Sequence, residues 1–303
     1  MKELDEAGKL FIGNREDAFS CLTEDSDITH ILTIESEPLS DTEMFDKGRG
    51  FEIALKHIEC LDQLSADLLV HFDDCIKFIN SGIASGKVLV HCSAGISRSS
   101  TVILAYMMYS RKMQLDQALL ELTSVYPKAN PNPGFMFQLH LFQAMGNKLD
   151  QSNSLYKQYQ LQAIAKKVQG NGCQEIPFGM FEPRDETVDF KEKKYKCRKC
   201  RQTLFTQKNR LDHVPVDGNN SLSWKNRFFT PKTQVTHIGR CTSYFVEPLT
   251  WMKALLVGNV EGKLCCPKCS CRIGSFNWAG EKCSCGLWVT PAFQIHKSKI
   301  DES

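Results

Sequence analysis

The sequence has almost no excess charge and no long apolar run, and each absence excludes a class of protein. Its 303 residues hold 37 lysines and arginines against 35 aspartates and glutamates, a formal net charge of +2. So small an excess gives no overall field to attract nucleic acid or an anionic membrane. The N-terminus carries charges at Lys2, Glu3, Asp5, Glu6 and Lys9, so it lacks the apolar core of a signal peptide. No later run reaches the roughly 18 apolar residues that span a bilayer, so we expect a soluble, intracellular protein without a membrane partner.

Internal repeats and low-complexity tracts are also missing, and the length suits two ordinary domains. Over residues 1–150, short apolar runs alternate with amphipathic stretches, which predicts an α/β domain. The predicted strands are 9–12, 30–34, 52–57 and 88–90, and the predicted helices are 67–79, 99–109 and 115–126. Pro127, Pro131 and Pro133 predict turns after the last of these helices. Residues 151–190 are polar and predict a linker with a short helix near 156–168. Residues 191–303 are expected to form a small β-rich domain.

Cysteine is scarce in the first domain and concentrated near the C-terminus. Only four of the 14 cysteines lie within residues 1–150, and nine of the other ten lie between Cys197 and Cys285, most of them in tight pairs. A disulfide framework is typical of a small secreted chain, whereas close pairs in a long intracellular chain favour metal ligands.

One cysteine of the first domain stands between a predicted strand and a predicted helix. The strand 88–90 leads directly into a loop that begins with His91 and Cys92, and the helix follows Arg98. In this order, loop N–H groups and the helix N-terminus surround one anion. The expected phosphate-binding residues are Ser93, Ala94, Gly95, Ile96, Ser97 and Arg98.

The same field should change the chemistry of Cys92. Oriented N–H groups and the Arg98 guanidinium favour a thiolate at neutral pH, and the planar guanidinium suits two phosphate oxygens at once. The alternative is an inert buried cysteine, but a buried arginine without an anion would be costly.

The run His91-Cys92-Ser93-Ala94-Gly95-Ile96-Ser97-Arg98-Ser99 resembles the signature loop of the protein tyrosine phosphatase superfamily in its dual-specificity form. Segments 10–14, 28–32 and 132–135, followed by Gln138-Leu139, are similar to the same family, so the resemblance covers residues 1–150. It implies a protein tyrosine phosphatase-like sheet flanked by helices. A domain this short implies a shallow pocket that admits phosphoserine and phosphothreonine as well as phosphotyrosine in phosphoprotein substrates.

The resemblance also implies a mechanism that needs no cofactor. Cys92 attacks phosphorus to give a phosphocysteine, Asp62 protonates the departing oxygen and later activates water, and Ser99 eases the departure of the Cys92 thiolate. Asp67 is the rival acid, although its place before an apolar helical pattern suits a helix cap. His91 is expected to orient the loop, with a purely structural buried histidine as the alternative.

Two CxxC pairs in the second domain, Cys197 with Cys200 and Cys266 with Cys269, can supply four thiolates to one zinc ion. Cys265 and Cys271 are expected to be spare. In a CPxC turn the cysteine directly before Pro267 is the natural ligand, so Cys266 is preferred over Cys265. A second site needs four ligands and has five candidates: Cys241, Cys283, Cys285, His213 and His296. The sequence therefore predicts two structural Zn²⁺ sites.

Segments 241–248, 274–278 and 290–297 resemble the zinc-binding region of a dual-specificity branch with fungal members. That resemblance implies association with the maturing large ribosomal subunit, or its RNA, in nucleus and cytoplasm. The alternative function is thus an assembly factor in which binding through the zinc domain matters more than catalysis. A basic cluster is compatible with an RNA partner, but a solvated flank explains it equally well: Lys191, Lys193, Lys194, Lys196, Arg198, Lys199 and Arg201. Trp278 and Trp288 are either base-stacking residues or core.

Overall fold

The computed structural model describes residues 1–5, 7–23, 26–39, 53–171, 192–211, 241–286 and 288–303. The chain folds into two compact units, residues 1–150 and 151–303. Three residues named above, Glu6, Lys191 and His213, lie outside the described residues, as do residues 172–190 of the expected linker. Within the described ranges, no helix has both the length and the apolar character needed to cross a bilayer.

The first unit is built on a five-stranded sheet whose central strands are buried and mostly apolar. In chain order they are β1 (Lys2–Glu3), β2 (Leu10–Gly13), β3 (His30–Glu35), β4 (Ala54–Glu59) and β5 (Val88–His91). The spatial order is β1-β2-β5-β3-β4. The last four of these are mutually parallel, and β1 pairs antiparallel at the edge. Every residue of β2 and β5 is buried, as expected for central strands covered on both faces.

Helices cover both faces of this sheet. They are α1 (Arg15–Thr23), α2 (Phe72–Ser85), α3 (Arg98–Arg111), α4 (Leu115–Val125) and α5 (Pro133–Ala144). Alternation along the strands sends Phe11, Ile31 and Leu89 into one cluster with the apolar residues of α1. Gly82 of α2 approaches the side chain of Val88 on the other face. The predicted α/β sheet flanked by helices is confirmed.

The start of α5 corrects the sequence analysis, which interpreted Pro133 as part of a turn. Proline occupies the first position of this helix, where its missing N–H costs nothing. The Asn132 side chain caps the helix by accepting from the backbone N–H groups of Gly134 and Phe135 at 2.9 and 3.0 Å. A proline after an asparagine therefore marked a helix start.

Two backbone N–H groups at the start of the next helical segment have a partner on α5. A 3₁₀ turn (Leu69–His71) precedes α2, and Leu68 is its N-cap residue. The backbone N–H groups of Leu68 and Leu69 both donate to Oε1 of Gln138, each at 2.8 Å. A glutamine from α5 thus satisfies two N–H groups at this helix start, where the sequence suggested only Asp67 as a cap.

The second unit is rich in antiparallel strands, as predicted. A five-stranded sheet has the order β10 (Glu261–Cys265), β11 (Arg272–Asn277), β14 (Ala292–His296), β9 (Ser243–Val246) and β8 (Arg210–Leu211). A three-stranded sheet has the order β15 (Ile300–Glu302), β6 (Lys194–Cys197) and β7 (Thr203–Thr206). In the described part of this unit, the other elements are the strand pair β12 (Glu281–Lys282) and β13 (Trp288–Val289) and the helices α6 (Ser154–Asn171) and α7 (Lys253–Leu256).

Helix α6 lies in the segment that was expected to be a linker. It has 18 residues and is longer than the short helix predicted there. Ala165 and Val168 belong to the main core of the second unit, and Leu161 belongs to a neighbouring cluster. This part of the expected linker therefore contributes to the folded unit.

Trp278 is a core residue of the second unit. Its side chain is fully buried and meets Phe293 edge-on, with ring centroids 5.1 Å apart. Trp288, in contrast, is 51% exposed. Of the two tryptophans considered for base stacking, only Trp288 is available at the surface.

Candidate active site and cysteine clusters

Cys92 lies at the base of the loop that joins β5 to α3. The residue is 1% exposed, whereas Ser93, Ala94 and Ile96 are exposed along the loop. The Cys92 Sγ lies 3.3 Å from the Ser99 Oγ in the first turn of α3. The sulfur therefore lies beside the helix N-terminus, where free N–H groups favour a negative charge.

Gly95 gives this loop its shape. Its φ of 71° lies in the left-handed region that favours glycine. A Cβ at this position would lie 2.6 Å from the Tyr126 hydroxyl oxygen and 2.8 Å from the carbonyl oxygen of Gly13. Backbone conformation and lack of space both require a glycine here.

Arg98 presents a donor toward the same region. It is 9% exposed, and its Nη1 donates to the Cys60 carbonyl oxygen at 3.1 Å. Its buried Nε has no hydrogen-bond partner among the described residues, and it lies 3.9 Å from Oδ2 of Asp62. A buried, charged donor left in this state is suited to an anionic oxygen.

Asp62 is held at the loop by two donors. Its Oδ1 accepts from the Ser97 Oγ at 2.8 Å and from the Asn132 Nδ2 at 2.7 Å. The backbone N–H of Asn132 donates in turn to the Ser97 Oγ at 3.1 Å. Since Oδ1 is occupied, a proton for transfer would reside on Oδ2, the oxygen nearer to the Nε of Arg98.

The sequence analysis named Asp62 and Ser97 but missed Asn132. One asparagine side chain both caps α5 through its oxygen and holds the candidate acid through its nitrogen. The sequence does single out segment 132–135, but only as a segment similar to the phosphatase family, and this similarity gave no role to Asn132.

His91 is buried behind the loop and neutral. Its Nε2 lies 2.8 Å from the Thr33 Oγ1 on the neighbouring strand β3. Burial lowers the pKa of His91 to about 4, so the imidazole is uncharged at neutral pH. Its Nδ1 therefore does not form an ion pair with Glu35, whose Oε1 lies 3.8 Å away. These contacts fit the expected loop-orienting role and the structural alternative equally well.

The start of α1, directly after β2, forms a hydrogen bond with the loop that follows Cys92. The backbone N–H of Arg15 donates to the Ser93 carbonyl oxygen at 3.1 Å. The Arg15 side chain pairs with Glu35 at 2.5 Å. The loop is thus fixed by hydrogen bonds from β3, the β2–α1 turn and α5.

The first cysteine cluster of the second unit consists of Cys197, Cys200, Cys266 and Cys269, whose sulfurs all lie within 4.8 Å of one another. Cys197 and Cys269 sulfurs are 3.7 Å apart, and Cys200 and Cys266 sulfurs are 3.5 Å apart. Four sulfurs bound to Zn²⁺ at about 2.3 Å are separated by about 3.8 Å, so the donor set and its spacing fit the metal. Cys266 rather than its neighbour Cys265 belongs to the cluster, as the sequence indicated.

The second cysteine cluster consists of Cys241, Cys283 and Cys285, again within 4.8 Å of one another. His296 is not part of this cluster, and its Nδ1 lies 3.1 Å from the Ser243 Oγ. The remaining candidate, His213, lies outside the described residues. The structure therefore brings together three of the five candidate ligands.

Acidic residues of β15 partly neutralise the basic cluster. Arg198 and Arg201 both pair with Asp301, and Lys193 pairs with Glu302. The remaining positive charge is smaller than the sequence suggests.

Comparisons with known proteins agree with this geometry. The family "Dual specificity phosphatase, catalytic domain" matches residues 10–145. Human "Dual specificity protein phosphatase 12" is 43% identical over 282 residues, which is 91% of this chain and 81% of that protein. "Tyrosine-protein phosphatase YVH1" of Saccharomyces cerevisiae is 32% identical over 310 residues, covering 91% and 84%.

Among solved structures, the Yvh1 phosphatase domain of Chaetomium thermophilum is 32% identical, with a TM-score of 0.41, and matches 46% of this chain and 94% of that one. The similarity to the human and yeast phosphatases extends beyond the catalytic unit into the cysteine-rich unit. The chain therefore belongs to the dual specificity protein phosphatase family and is a protein phosphatase.

Proposed function

We propose that the protein hydrolyses phosphotyrosine, phosphoserine and phosphothreonine in protein substrates through a phosphocysteine intermediate. The observation that carries this proposal is the convergence of three groups on one loop. Cys92 lies beside the Ser99 hydroxyl, the buried Nε of Arg98 has no hydrogen-bond partner among the described residues, and Oδ2 of Asp62 lies 3.9 Å from that Nε.

In the first step, the loop N–H groups and Arg98 bind the phosphate, and the Cys92 thiolate attacks phosphorus. The bond from phosphorus to the substrate oxygen breaks, and the proton on Oδ2 of Asp62 passes to that oxygen. In the second step, Asp62 takes a proton from water as the water oxygen attacks phosphorus. The sulfur–phosphorus bond breaks, and the Ser99 hydroxyl donates to the departing thiolate.

The test is hydrolysis of an aryl phosphate by the purified full-length protein. We expect vanadate to block the activity, Cys92→Ser to abolish it and brief exposure to a chelator to leave it unchanged. Cys75→Ala, on the face of α2 that points into the core, is the matched control and should keep the activity. Equal activity in wild type and Cys92→Ser would exclude the mechanism. A panel of the three phosphorylated peptides then ranks the substrate classes.

For the second unit, we propose two structural Zn²⁺ ions, one at each cysteine cluster. Thiolate is the ligand that zinc prefers in structural sites, and at the first cluster four thiols can form a complete shell that leaves no position for a reacting water. Elemental analysis of purified protein should find two zinc ions per chain. A single metal ion or none would contradict the two-site proposal.

A second candidate function is binding to the maturing large ribosomal subunit through the second unit, with residence in both nucleus and cytoplasm. Exposed Arg198, Lys199, Arg201 and Trp288 support it, since cations and aromatic rings are what RNA phosphates and bases contact. Full-length protein should co-sediment with large-subunit precursor particles. A chain that ends at Asp150 should lose co-sedimentation but keep aryl phosphatase activity, and failure of full-length protein to co-sediment would refute this candidate.

A further inference from the structure

A fifth sulfur lies beside the first cysteine cluster. Cys271, expected to be spare, places its Sγ 3.6 Å from the Sγ of Cys197 and 3.3 Å from the Sγ of Cys269. Both distances are close to the separation of about 3.8 Å between two sulfurs that share one zinc ion. Five thiols therefore surround a site that uses four.

The backbone explains why Cys271 returns to the cluster. After Cys269 the chain turns sharply at Ser270, whose φ is 55°. The Ser270 N–H donates to the Cys266 carbonyl oxygen, and the Cys266 N–H donates to the Cys271 carbonyl oxygen, both at 2.9 Å. The turn thus carries Cys269 and Cys271 on the same side, next to Cys197 at the end of β6.

The fifth sulfur is close to only part of the cluster. Its sulfur contacts within hydrogen-bonding distance are with Cys197 and Cys269. Cys200 and Cys266 contact each other at 3.5 Å on the other edge, and Cys271 is outside the group in which all sulfurs lie within 4.8 Å. A side chain can replace a lost ligand only where a small rotation brings its sulfur to the vacated position.

We propose that Cys271 is a reserve zinc ligand that can replace Cys197 or Cys269, but not Cys200 or Cys266. In the replacement, the Cys271 thiol releases its proton to solvent and forms the zinc–sulfur bond, with no change in oxidation state. The inference rests on the zinc binding proposed above. If Cys271 served only as a half-buried packing residue, it would give no such asymmetry between the two edges.

The experiment measures zinc per chain, by elemental analysis of full-length variants dialysed against a weak chelator. Cys271→Ala and the neighbouring control Cys265→Ala should keep as much zinc as wild type. Cys269→Ala and Cys197→Ala should also keep it, whereas Cys200→Ala and Cys266→Ala should each lose one ion. The double variant Cys269→Ala with Cys271→Ala should lose one ion as well.

Cobalt substitution provides a second measurement that reports the ligands directly. With Co²⁺ in place of zinc, Cys269→Ala should keep the intense sulfur-to-metal absorption of a four-sulfur site, and the double variant should lose this site's share of it. Cys269 is only partly buried, so its replacement should disturb folding less than replacement of the buried Cys197. Comparing Cys269→Ala with the double variant therefore tests whether Cys271 replaces a lost ligand, even if Cys197→Ala does not fold.

Three outcomes would overturn the inference in distinguishable ways. Equal zinc loss in Cys269→Ala and Cys200→Ala would exclude a reserve ligand while leaving the zinc site in place. Zinc loss in Cys271→Ala alone would make Cys271 an ordinary ligand. Unchanged zinc in both Cys200→Ala and Cys266→Ala would refute the proposed site itself.

Discussion

In the first unit, Cys92 follows a buried strand and lies near a serine hydroxyl and the N-terminus of the helix that begins at Arg98. In the second unit, each sulfur of the first cysteine cluster lies within 4.8 Å of three others. Donors around one sulfur stabilise a single thiolate that can attack, whereas several thiolates together need a cation to hold them. The neighbours of a cysteine, rather than its spacing alone, determine its chemistry.

In two other cysteines of the first unit, burial dominates the chemistry of the thiol. Burial raises the pKa of Cys60 to about 11 and that of Cys75 to about 12. Both therefore remain neutral thiols at physiological pH and behave as small apolar side chains. If the two environments are independent, changing the neighbours of Cys92 should lower phosphatase activity and leave the zinc content of the cysteine clusters unchanged.

The largest effect is expected from Arg98→Lys. A lysine cannot supply the planar pair of donors, so kcat/KM for an aryl phosphate should fall about 1000-fold, within the range for losing a main transition-state donor. Zinc content should not change. Arg111→Lys, at the exposed end of the same helix, is the control and should match wild type. Loss of zinc in Arg98→Lys would show that the two regions are not independent.

Asp62→Asn should have the next largest effect. Removing the proton donor should lower kcat about 100-fold for an alkyl phosphate such as phosphoserine, whose leaving group needs protonation. Phenols that leave readily as anions should lose much less. Asp67→Asn tests the rival acid, and a leaving-group dependence in that variant instead of Asp62→Asn would reverse the assignment.

Asn132 should show a smaller, separable effect. Asn132→Ala removes the donor to Asp62 and the α5 cap, so kcat should fall about tenfold and stability by about 1 kcal/mol. Asn132→Asp keeps the capping oxygen but replaces the donor by an acceptor. It should lose activity while keeping the wild-type unfolding midpoint. Normal activity in Asn132→Asp would show that the bond to Asp62 is dispensable.

The last expected effect, which concerns stability and leaves activity at neutral pH unchanged, is a pH dependence of stability in the first unit. The pKa of His91 is lowered from 6.5 to about 4 because the imidazole is buried, so the unfolded chain binds a proton that the folded chain does not. The contribution of the neutral His91 to the free energy of unfolding is therefore complete above pH 6.5. It is lost as the pH falls toward 4, by up to roughly 3 kcal/mol.

Hydrogen exchange of β5 amides between pH 7 and 5, corrected for intrinsic rates, measures how the free energy of unfolding changes with pH. In His91→Gln this pH dependence should be weaker, because the glutamine side chain cannot gain a proton. Exchange of β14 in the second unit should be the same in both proteins at each pH. An unchanged slope in β5 would assign the acid sensitivity to other groups.

The nucleophile loop was predictable because its residues are adjacent in the sequence and their order alone indicates an anion site. The link from Asp62 to Asn132 joins residues 70 positions apart, and no local pattern shows such a contact. Pro133 indicated a turn because proline is as common in turns as at a helix start, and only the Asn132 cap decides between them.

The position of Cys271 could not be predicted from the sequence. Zinc-site patterns require four ligands, so a fifth cysteine is classified as spare even when it lies close to the site. Only the turn at Ser270 reveals that it lies next to Cys197 and Cys269. Likewise, the polar composition of residues 151–190 indicated a linker with only a short helix, whereas the helix there has 18 residues and buries Leu161, Ala165 and Val168.

The shared hydrogen bonds of Asp62, Ser97 and Asn132 tie together three segments that are far apart along the chain. Anyone who transplants the acid-bearing loop from another phosphatase to retune substrate preference would also have to transplant its two anchors. Inheritance faces the same constraint, so these three positions should change together or not at all as sequences diverge.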